Sequence, residues 1–405
     1  MKFNYIAKKS SGAERKGQLE AKDKFELSRN LREEGYTLVS CKEAKETNKL
    51  AFLSNISFMG SVKVADKMIF ARNLSVMMGA GVSAPRAMDV LSRQTENKLF
   101  KKTILEIGEN IQKGNSLSDS MAKYPKVFST LFVAMVKVGE ESGRLAESLK
   151  MISDQLERDH TLMKKVKGAL VYPTIILIVM VAIGVLMLMY VVPPLVSTFA
   201  EMNLELPLGT RIIIASSNFV TDHFIVFIVS LLGAVFAFMT FAKSRAGKRF
   251  FDNASLKVPV LSTLIKKFNS ARTSRTLASL ISSGVNIVET ISITSEVVQN
   301  HRYKEVLEQA KNDIQKGTSM SASFKNATNL YPPLVGEMMA VGEETGKLGD
   351  MLNRLADFYE EEVSNATKDL STIIEPVLMI IIGIVVGFFA VSMIKPMYSM
   401  TDAIQ

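Results

Sequence analysis

Three stretches of this chain are apolar over the roughly 20 residues that a helix needs to cross a bilayer. They are 169–192 (ALVYPTIILIVMVAIGVLMLMYVV), 224–242 (FIVFIVSLLGAVFAFMTFA) and 373–394 (IIEPVLMIIIGIVVGFFAVSMI). Hydrocarbon offers no partner to a backbone N–H or C=O, so a lipid-exposed run of this kind is committed to helix. Buried core helices are the competing reading. Runs that are apolar all round, with basic residues at most of their ends, favour membrane spans. Almost no charge lies within them: Glu375 stands alone, beside Pro376 near one end of the third run. It is expected either at the membrane interface or as a seal in helix packing.

Basic residues orient the spans. Residues 1–168 carry 30 of the 49 Lys and Arg and residues 243–371 carry 17, while the stretch 193–222 and the tail 395–405 carry one each, Arg211 and Lys395. The two large segments are therefore expected in the cytoplasm, with the N-terminus inside and the C-terminus outside. The net charge of +9 over 405 residues is explained by this asymmetry and does not require nucleic acid. The first residues, MKFNYIAKKSSGAERKG, lack the apolar core of a secretory signal, so the first domain is not expected to be exported.

An internal repeat adds a second constraint. Shifting positions by 203 pairs the first large segment with the second without a gap: IQKGNSLSDS at 111–120 with IQKGTSMSAS at 314–323, and VGEESGRL at 138–145 with VGEETGKL at 341–348. Arg72 pairs with Arg275, Gly81 with Gly284, and Pro173 in the first span with Pro376 in the third. Each copy reads as a helical bundle. In copy one a helix closes at Gly81, Pro85 sits in the first turn of the next, a longer amphipathic helix ends at Gly114, and Ser116 opens a short helix with Asp119 three residues on, as in a capping box. The last helix starts near Arg144 and is expected to run on into the span. Before the copies, FNYIAKK, RKGQLEA and TLVSCKEA read as strands around a helix, DKFELSRNLREEGY.

VGEETGKL looks like a phosphate-binding loop but fails the pattern: three residues separate its glycines instead of four, and Leu348 stands where a magnesium-binding hydroxyl belongs. Gly143 and Gly346 are instead expected to turn the chain between helices, together with Gly139 and Gly342. The acid pairs Glu140–Glu141 and Glu343–Glu344 then become either helix-terminal charges or exposed contacts for a basic partner or a cation. Arg72, on a helix whose apolar stripe includes Ile69, Leu74 and Met77, is expected to be half buried against an acid, and Arg275 is its structural counterpart in copy two. With one cysteine and three scattered histidines, no catalytic residues, cofactor or metal site is expected.

These residues carry a resemblance. The duplicated helical domain, the three spans, FARNLSVMMGAGV, the two GEE turns, and Pro173 and Pro376 at the span starts resemble the type II secretion F family, the inner-membrane platform proteins of type IV pili and type II secretion. The resemblance covers nearly the whole chain. It implies a non-enzymatic platform in a bacterial or archaeal inner membrane that couples a cytoplasmic hexameric assembly ATPase, and in some systems a retraction ATPase, to pilin or pseudopilin subunits at the filament base. It also implies other inner-membrane assembly proteins as partners and a homodimer or higher oligomer. A transporter would need charge deep in the bilayer, a receptor a larger outer domain, and an enzyme a nucleophile–base pair or a metal cluster.

The expected fold is thus a mainly all-α membrane protein with a small α+β N-terminal module. Its divisions are 1–50 module, 51–64 linker, 65–168 bundle copy one, 169–192 span, 193–223 periplasmic loop, 224–242 span, 243–372 bundle copy two, 373–394 span and 395–405 tail. Copy two opens with SARTSRTLASLISSGV, small and polar where copy one has Phe70, Asn73 and Gly79, so the two copies are expected to pack unequally.

Overall fold

A computed structural model of the chain describes residues 2–9, 14–21, 23–33, 35–43, 61–201 and 207–403. Most of the expected 51–64 linker lies outside the described residues. Two compact units are present, residues 1–61 and 62–405.

In the first unit, β1 (Lys2–Lys9) pairs antiparallel with β2 (Glu14–Glu20) on one side and β3 (Tyr36–Glu43) on the other. Alternation along β1 puts Tyr5 and Ala7 on one face, where Leu27 and Leu31 of α1 (Lys24–Glu33) cover them. Gly17 faces Tyr5 across the strand pair, and a Cβ there would stand 3.0 Å from the tyrosine oxygen.

The second unit is helical. Copy one comprises α2 (Val64–Gly79), α3 (Ala84–Gln94), α4 (Lys98–Gln112), α5 (Leu117–Ala122), α6 (Thr130–Glu141) and α7 (Leu145–Leu186). After a π-helical turn, Met187–Val191, come α8 (Val192–Glu201), α9 (Leu208–Asp222), the second apolar helix α10 (Phe224–Lys243) and α11 (Arg245–Ser255). Copy two comprises α12 (Pro259–Ser282), α13 (Ile287–Val297), α14 (His301–Gln315), α15 (Met320–Asn326), α16 (Pro333–Thr345) and α17 (Leu348–Ala403). Side chains of Asn97, Ser116 and Ser129 accept bonds from the first-turn N–H groups of α4, α5 and α6. Gly81, Gly114 and Gly143 have φ of 78°, 91° and 72°, and their repeats Gly284, Gly317 and Gly346 have 89°, 86° and 69°. The left-handed backbone that ends a helix is therefore kept in both copies, at the same three places.

The cores of the two copies are built differently at one equivalent spot. In copy one Phe70, Phe100 and Phe128 form a triangle with ring centroids 5.3 to 6.1 Å apart. The equivalent residues in copy two are Thr273, Tyr303 and Tyr331. One ring has gone, and three hydroxyls have been added: Tyr331 bonds Thr273 at 3.0 Å and Tyr303 donates to the Leu330 carbonyl at 2.8 Å. Burial pushes both phenols well above their ordinary range. Tyr331→Phe would strand the Thr273 hydroxyl and is expected to cost about 1–3 kcal/mol. Adding Thr273→Val should recover most of that loss in a thermal-denaturation double-mutant cycle; strict additivity of the two changes would refute the coupling.

The polar opening of copy two has a matching cause. α12 buries eleven residues where α2 buries three, because α12 packs against both α17 and α7. Small side chains such as Ser270, Ala271, Ser274 and Ala278 permit that double contact. Copies one and two also share core: Leu280, Val285 and Ile293 join the copy-one cluster, and Leu162 of α7 joins the copy-two cluster.

Among the described residues three helices are long and apolar enough to span a membrane, within Leu145–Thr198, Phe224–Lys243 and Leu348–Ile394. The first and third run unbroken out of the bundles, as their amphipathic-to-apolar patterns predict. Pro173 lies inside α7, buried, and has no N–H for the carbonyl four residues back. Pro376 and Glu375 lie exposed on α17.

The stretch 193–223, expected as a loop, is largely helical. Thr210, Ile213, Ser217 and Val220 are buried along one stripe of α9, at the spacing of a packed helix face. In the π-helical turn the Val192 N–H reaches back to the Met187 carbonyl. The next donor in that register is Pro193, which has none, so the Leu188 carbonyl is left over. Ser217 Oγ donates to it at 2.5 Å, and Thr210 Oγ1 donates to the Ser392 carbonyl at 2.5 Å. Two hydroxyls of α9 therefore tie together the far ends of the first and last apolar helices. Ser217→Ala is expected to cost about 1–3 kcal/mol, the worth of an acceptor left bare. An unchanged melting midpoint of the purified protein would show that the carbonyl finds another donor.

Candidate functional site

Both acidic turns are helix ends, and each of their residues has a separate task. Gly143 and Gly346 make the turn, with left-handed backbone. Gly139 and Gly342 do not: they are helical, and the expectation that they turn the chain is corrected. They let the next helix cross closely, since a Cβ on Gly139 would stand 2.4 Å from Ser148 Oγ and one on Gly342 2.9 Å from the Leu348 Cα. The two glycines of the motif thus answer two different steric demands, and neither concerns phosphate.

The two glutamates of each pair also part. Glu140 is half-buried and accepts bonds from Leu117 N at 2.7 Å, Ser118 N at 3.1 Å and Ser118 Oγ at 2.8 Å. Its carboxylate caps the start of α5, satisfying two N–H groups that a helix leaves open and meeting the positive end of its dipole. Ser116 takes the third, from Asp119 N at 3.0 Å. Copy two repeats the device: Glu343 accepts from Met320 N at 2.7 Å, Ser321 N at 3.2 Å and Ser321 Oγ. Glu141 and Glu344 are exposed, and among the described residues Glu141 makes a loose pair with Lys137 at 4.0 Å. The reading of each pair as two exposed acids on a turn is therefore corrected for Glu140 and Glu343. A helix turns about 100° per residue, so neighbouring glutamates cannot both face α5.

Arg72 and Arg275 differ although they are equivalent. Arg72 bonds Glu157 at 2.6 Å with both side chains about half exposed, 50% and 51%. Arg275 is 7% exposed and bonds Glu360 at 2.7 Å, Asn353 at 2.9 Å and Asp357. Burial alone would lower the Arg275 guanidinium, but its bonds to Glu360 and Asp357 outweigh that and hold it above its ordinary value. Arg158 of α7 reaches the same carboxylates, Asp357 at 2.8 Å and Glu360 at 3.3 Å, so this cluster bridges the two copies. Ile69, placed in the apolar stripe by spacing, is 53% exposed, and the buried face of α2 is Phe70, Ala71 and Leu74.

Sequence reasoning missed the partners. Glu157 and Glu360 are themselves related by the shift of 203, and each lies 85 residues after its arginine. Extending the repeat comparison to acids would have found both.

The family described as Type II secretion system (T2SS), protein F, matches residues 70–193 and again 273–396, and its N-terminal domain matches residues 1–42. The chain belongs to the type II secretion system protein F family. The two matched segments are offset by the same 203 residues as the capping glutamates and the Arg–Glu pairs, so the family's unit is a bundle together with the apolar helix that leaves it. The second apolar helix, α10, lies between the two matches. Among relatives, the chain is 34% identical over 396 residues to the type IV pilus assembly protein PilC of Thermus thermophilus, covering 98% of this chain and 97% of that one. It is 32% identical over 403 residues to the PilC of Myxococcus xanthus, covering 100% and 96%. It is 28% identical over 402 residues to the type II secretion system protein F of Pseudomonas aeruginosa, covering 99% of each. With three apolar helices, this family member is a multi-pass inner-membrane protein.

Proposed function

We propose that this chain is the inner-membrane platform of a type IV pilus machine, coupling a cytoplasmic assembly ATPase to the insertion of pilin subunits at the filament base. The observation that carries this reading is full-length similarity above 30% to proteins named for type IV pilus assembly, against 28% to a type II secretion protein F. Deleting the gene should abolish surface pili while leaving export of folded enzymes intact; the opposite outcome would assign it to secretion.

The bundles, 65–168 and 243–372, lie in the cytoplasm, and the far ends of the apolar helices lie outside. The basic-residue asymmetry supports this. A reporter active only outside the cytoplasm should be silent when fused after Lys165 or Lys267, and active near Glu205 or after Gln405. Activity at Lys267 would overturn the topology.

The platform acts as a transmission and not as an enzyme. α7 and α17 each leave a bundle and continue as a membrane helix, so a push or turn applied to a bundle reaches the membrane without a flexible joint. Glu141 and Glu344, exposed on equivalent turns, are the side of the acid pairs open to a basic partner such as the ATPase ring. Glu141→Lys with Glu344→Lys should leave the amount of protein normal, weaken ATPase co-purification and reduce piliation. Wild-type binding and piliation in that double variant would leave the turns as connectors only. Lys347→Ala should not change nucleotide binding, because its loop lacks a phosphate cradle.

A further inference from the structure

The first bundle holds a groove whose counterpart in the second is smaller and less basic, and the difference points to a ligand. The groove, about 920 Å³, lies between the start of α2, the start of α6, α7, Arg272 of α12 and the end of α13, within the size range of small-molecule sites. Lys63, Lys67, Lys167, Arg272 and His160 line it, facing only Asp159 and Glu296. Thr130 already donates to Glu296 at 2.6 Å.

The equivalent place in copy two is a smaller groove of about 340 Å³. There Lys67, His160 and Lys167 are replaced by Ser270, Val363 and Leu370, and the last two are core residues. Its acid, Glu362, is closed by Lys267 at 2.6 Å. In copy one the matching acid, Asp159, has among the described residues a loose cation, Arg272 at 3.8 Å. Arg272 is 15% exposed, and its Nε and Nη1 have no bonding partner among the described residues. Burial holds the Lys67 ammonium below its ordinary value, a cost that a bound anion would offset. The shared fold does not require charge at two of these places, because copy two fills those of His160 and Lys167 with the core side chains Val363 and Leu370.

We propose that this groove binds a phosphate-bearing amphiphile, its phosphate held by Lys67, Lys167 and Arg272 and its apolar body lying along Val64, Leu156 and Met163. The α7 residues Leu156, Asp159, His160, Met163 and Lys167 form one stripe at helical spacing. Lys167 stands two residues before the first apolar run, so the groove leads toward the membrane surface. A phosphate there can come from an anionic lipid of the inner leaflet or from a soluble phosphate compound, and the test separates the two.

The full-length protein, delipidated in detergent, is titrated with dihexanoyl phosphatidylglycerol, with dihexanoyl phosphatidylcholine and with inorganic phosphate, and binding is read by native mass spectrometry. The expected result is that phosphatidylglycerol binds about tenfold or more tightly than phosphatidylcholine. Lys67→Gln with Lys167→Gln should weaken it about tenfold or more, while Lys266→Gln, in the copy-two groove, should leave it unchanged. Inorganic phosphate that competes at equal strength would support the site and assign a soluble source. Equal binding of both lipids, or phosphatidylglycerol binding that survives the double variant, overturns the proposal. Should the double variant fail to fold by circular dichroism, His160→Glu, an exposed change in the same stripe, must show the same loss; full binding in His160→Glu also overturns it.

Discussion

Arg275→Ala should destabilise the purified protein by about 3–5 kcal/mol, the usual loss when one partner of a buried ion pair is removed. Arg72→Ala, at the equivalent position, should cost about 0–1 kcal/mol, as an exposed pair does. The contrast rests on surroundings and not on residue type. Removing Arg275 takes from Glu360, which is 20% exposed, the nearer of its two cations and unties Asn353. Asp357, 58% exposed, can turn to water and adds little. Arg158 remains near both carboxylates, so Arg158→Ala on top of Arg275→Ala should cost more than the sum of the single changes. Arg72 and Glu157 are both half in water, and solvent replaces the lost partner. Denaturation midpoints of the two single variants measure the difference directly. Equal losses at Arg72 and Arg275 would show that the extra burial in copy two has no energetic weight.

Loss of the capping carboxylates is the second large effect. Glu140→Ala should destabilise copy one by about 3 kcal/mol, the scale of a hydrogen bond to a charged group with a second one partly replaced by water. Glu343→Ala should do the same in copy two. Each glutamate satisfies two backbone N–H groups and a serine hydroxyl; alanine takes the acceptor from both N–H groups, while the hydroxyls of Ser118 and Ser321 keep Ser116 and Ser319 within reach. Glu140→Gln keeps one oxygen and should recover part of the loss. Glu141→Ala and Glu344→Ala, one residue away, should change stability by about 0–1 kcal/mol. Hydrogen exchange read at 117–122 and 320–326 gives a local check: faster exchange there in the Glu140 and Glu343 variants, and none in the Glu141 and Glu344 variants. A charge reversal of the whole pair would therefore mix a folding defect with a contact defect, and only the second glutamate of each pair reports on a partner.

Much of the fold was legible because its signals are local. A span is a run of apolar residues, a helix end is a serine or asparagine before an amphipathic pattern, and a left-handed turn is a glycine. Gly81, Gly114, Gly143 and their repeats were readable on that ground, and so were the long helices that leave each bundle. The stripe Thr210, Ile213, Ser217, Val220 was equally local, but a stretch of mixed polarity opened by Pro193 and Pro194 between two apolar runs reads as a loop until its neighbours are known. What decides it is the carbonyl that Pro193 cannot satisfy, presented by a different helix.

By itself the sequence determined the duplication, the three apolar helices, the left-handed glycines that end helices in both copies, and the family. Only the tertiary structure decided the roles within each repeated motif. Glu140 and Glu141 are the same residue type in adjacent positions, and the one that caps is the one that points at a helix start 22 and 23 residues earlier. Arg72 and Arg275 hold the same place in two copies, yet α7 contributes Arg158 beside the second alone. Burial and charge pairing are set by what the rest of the chain brings within a few ångströms, and a linear pattern does not carry that distance.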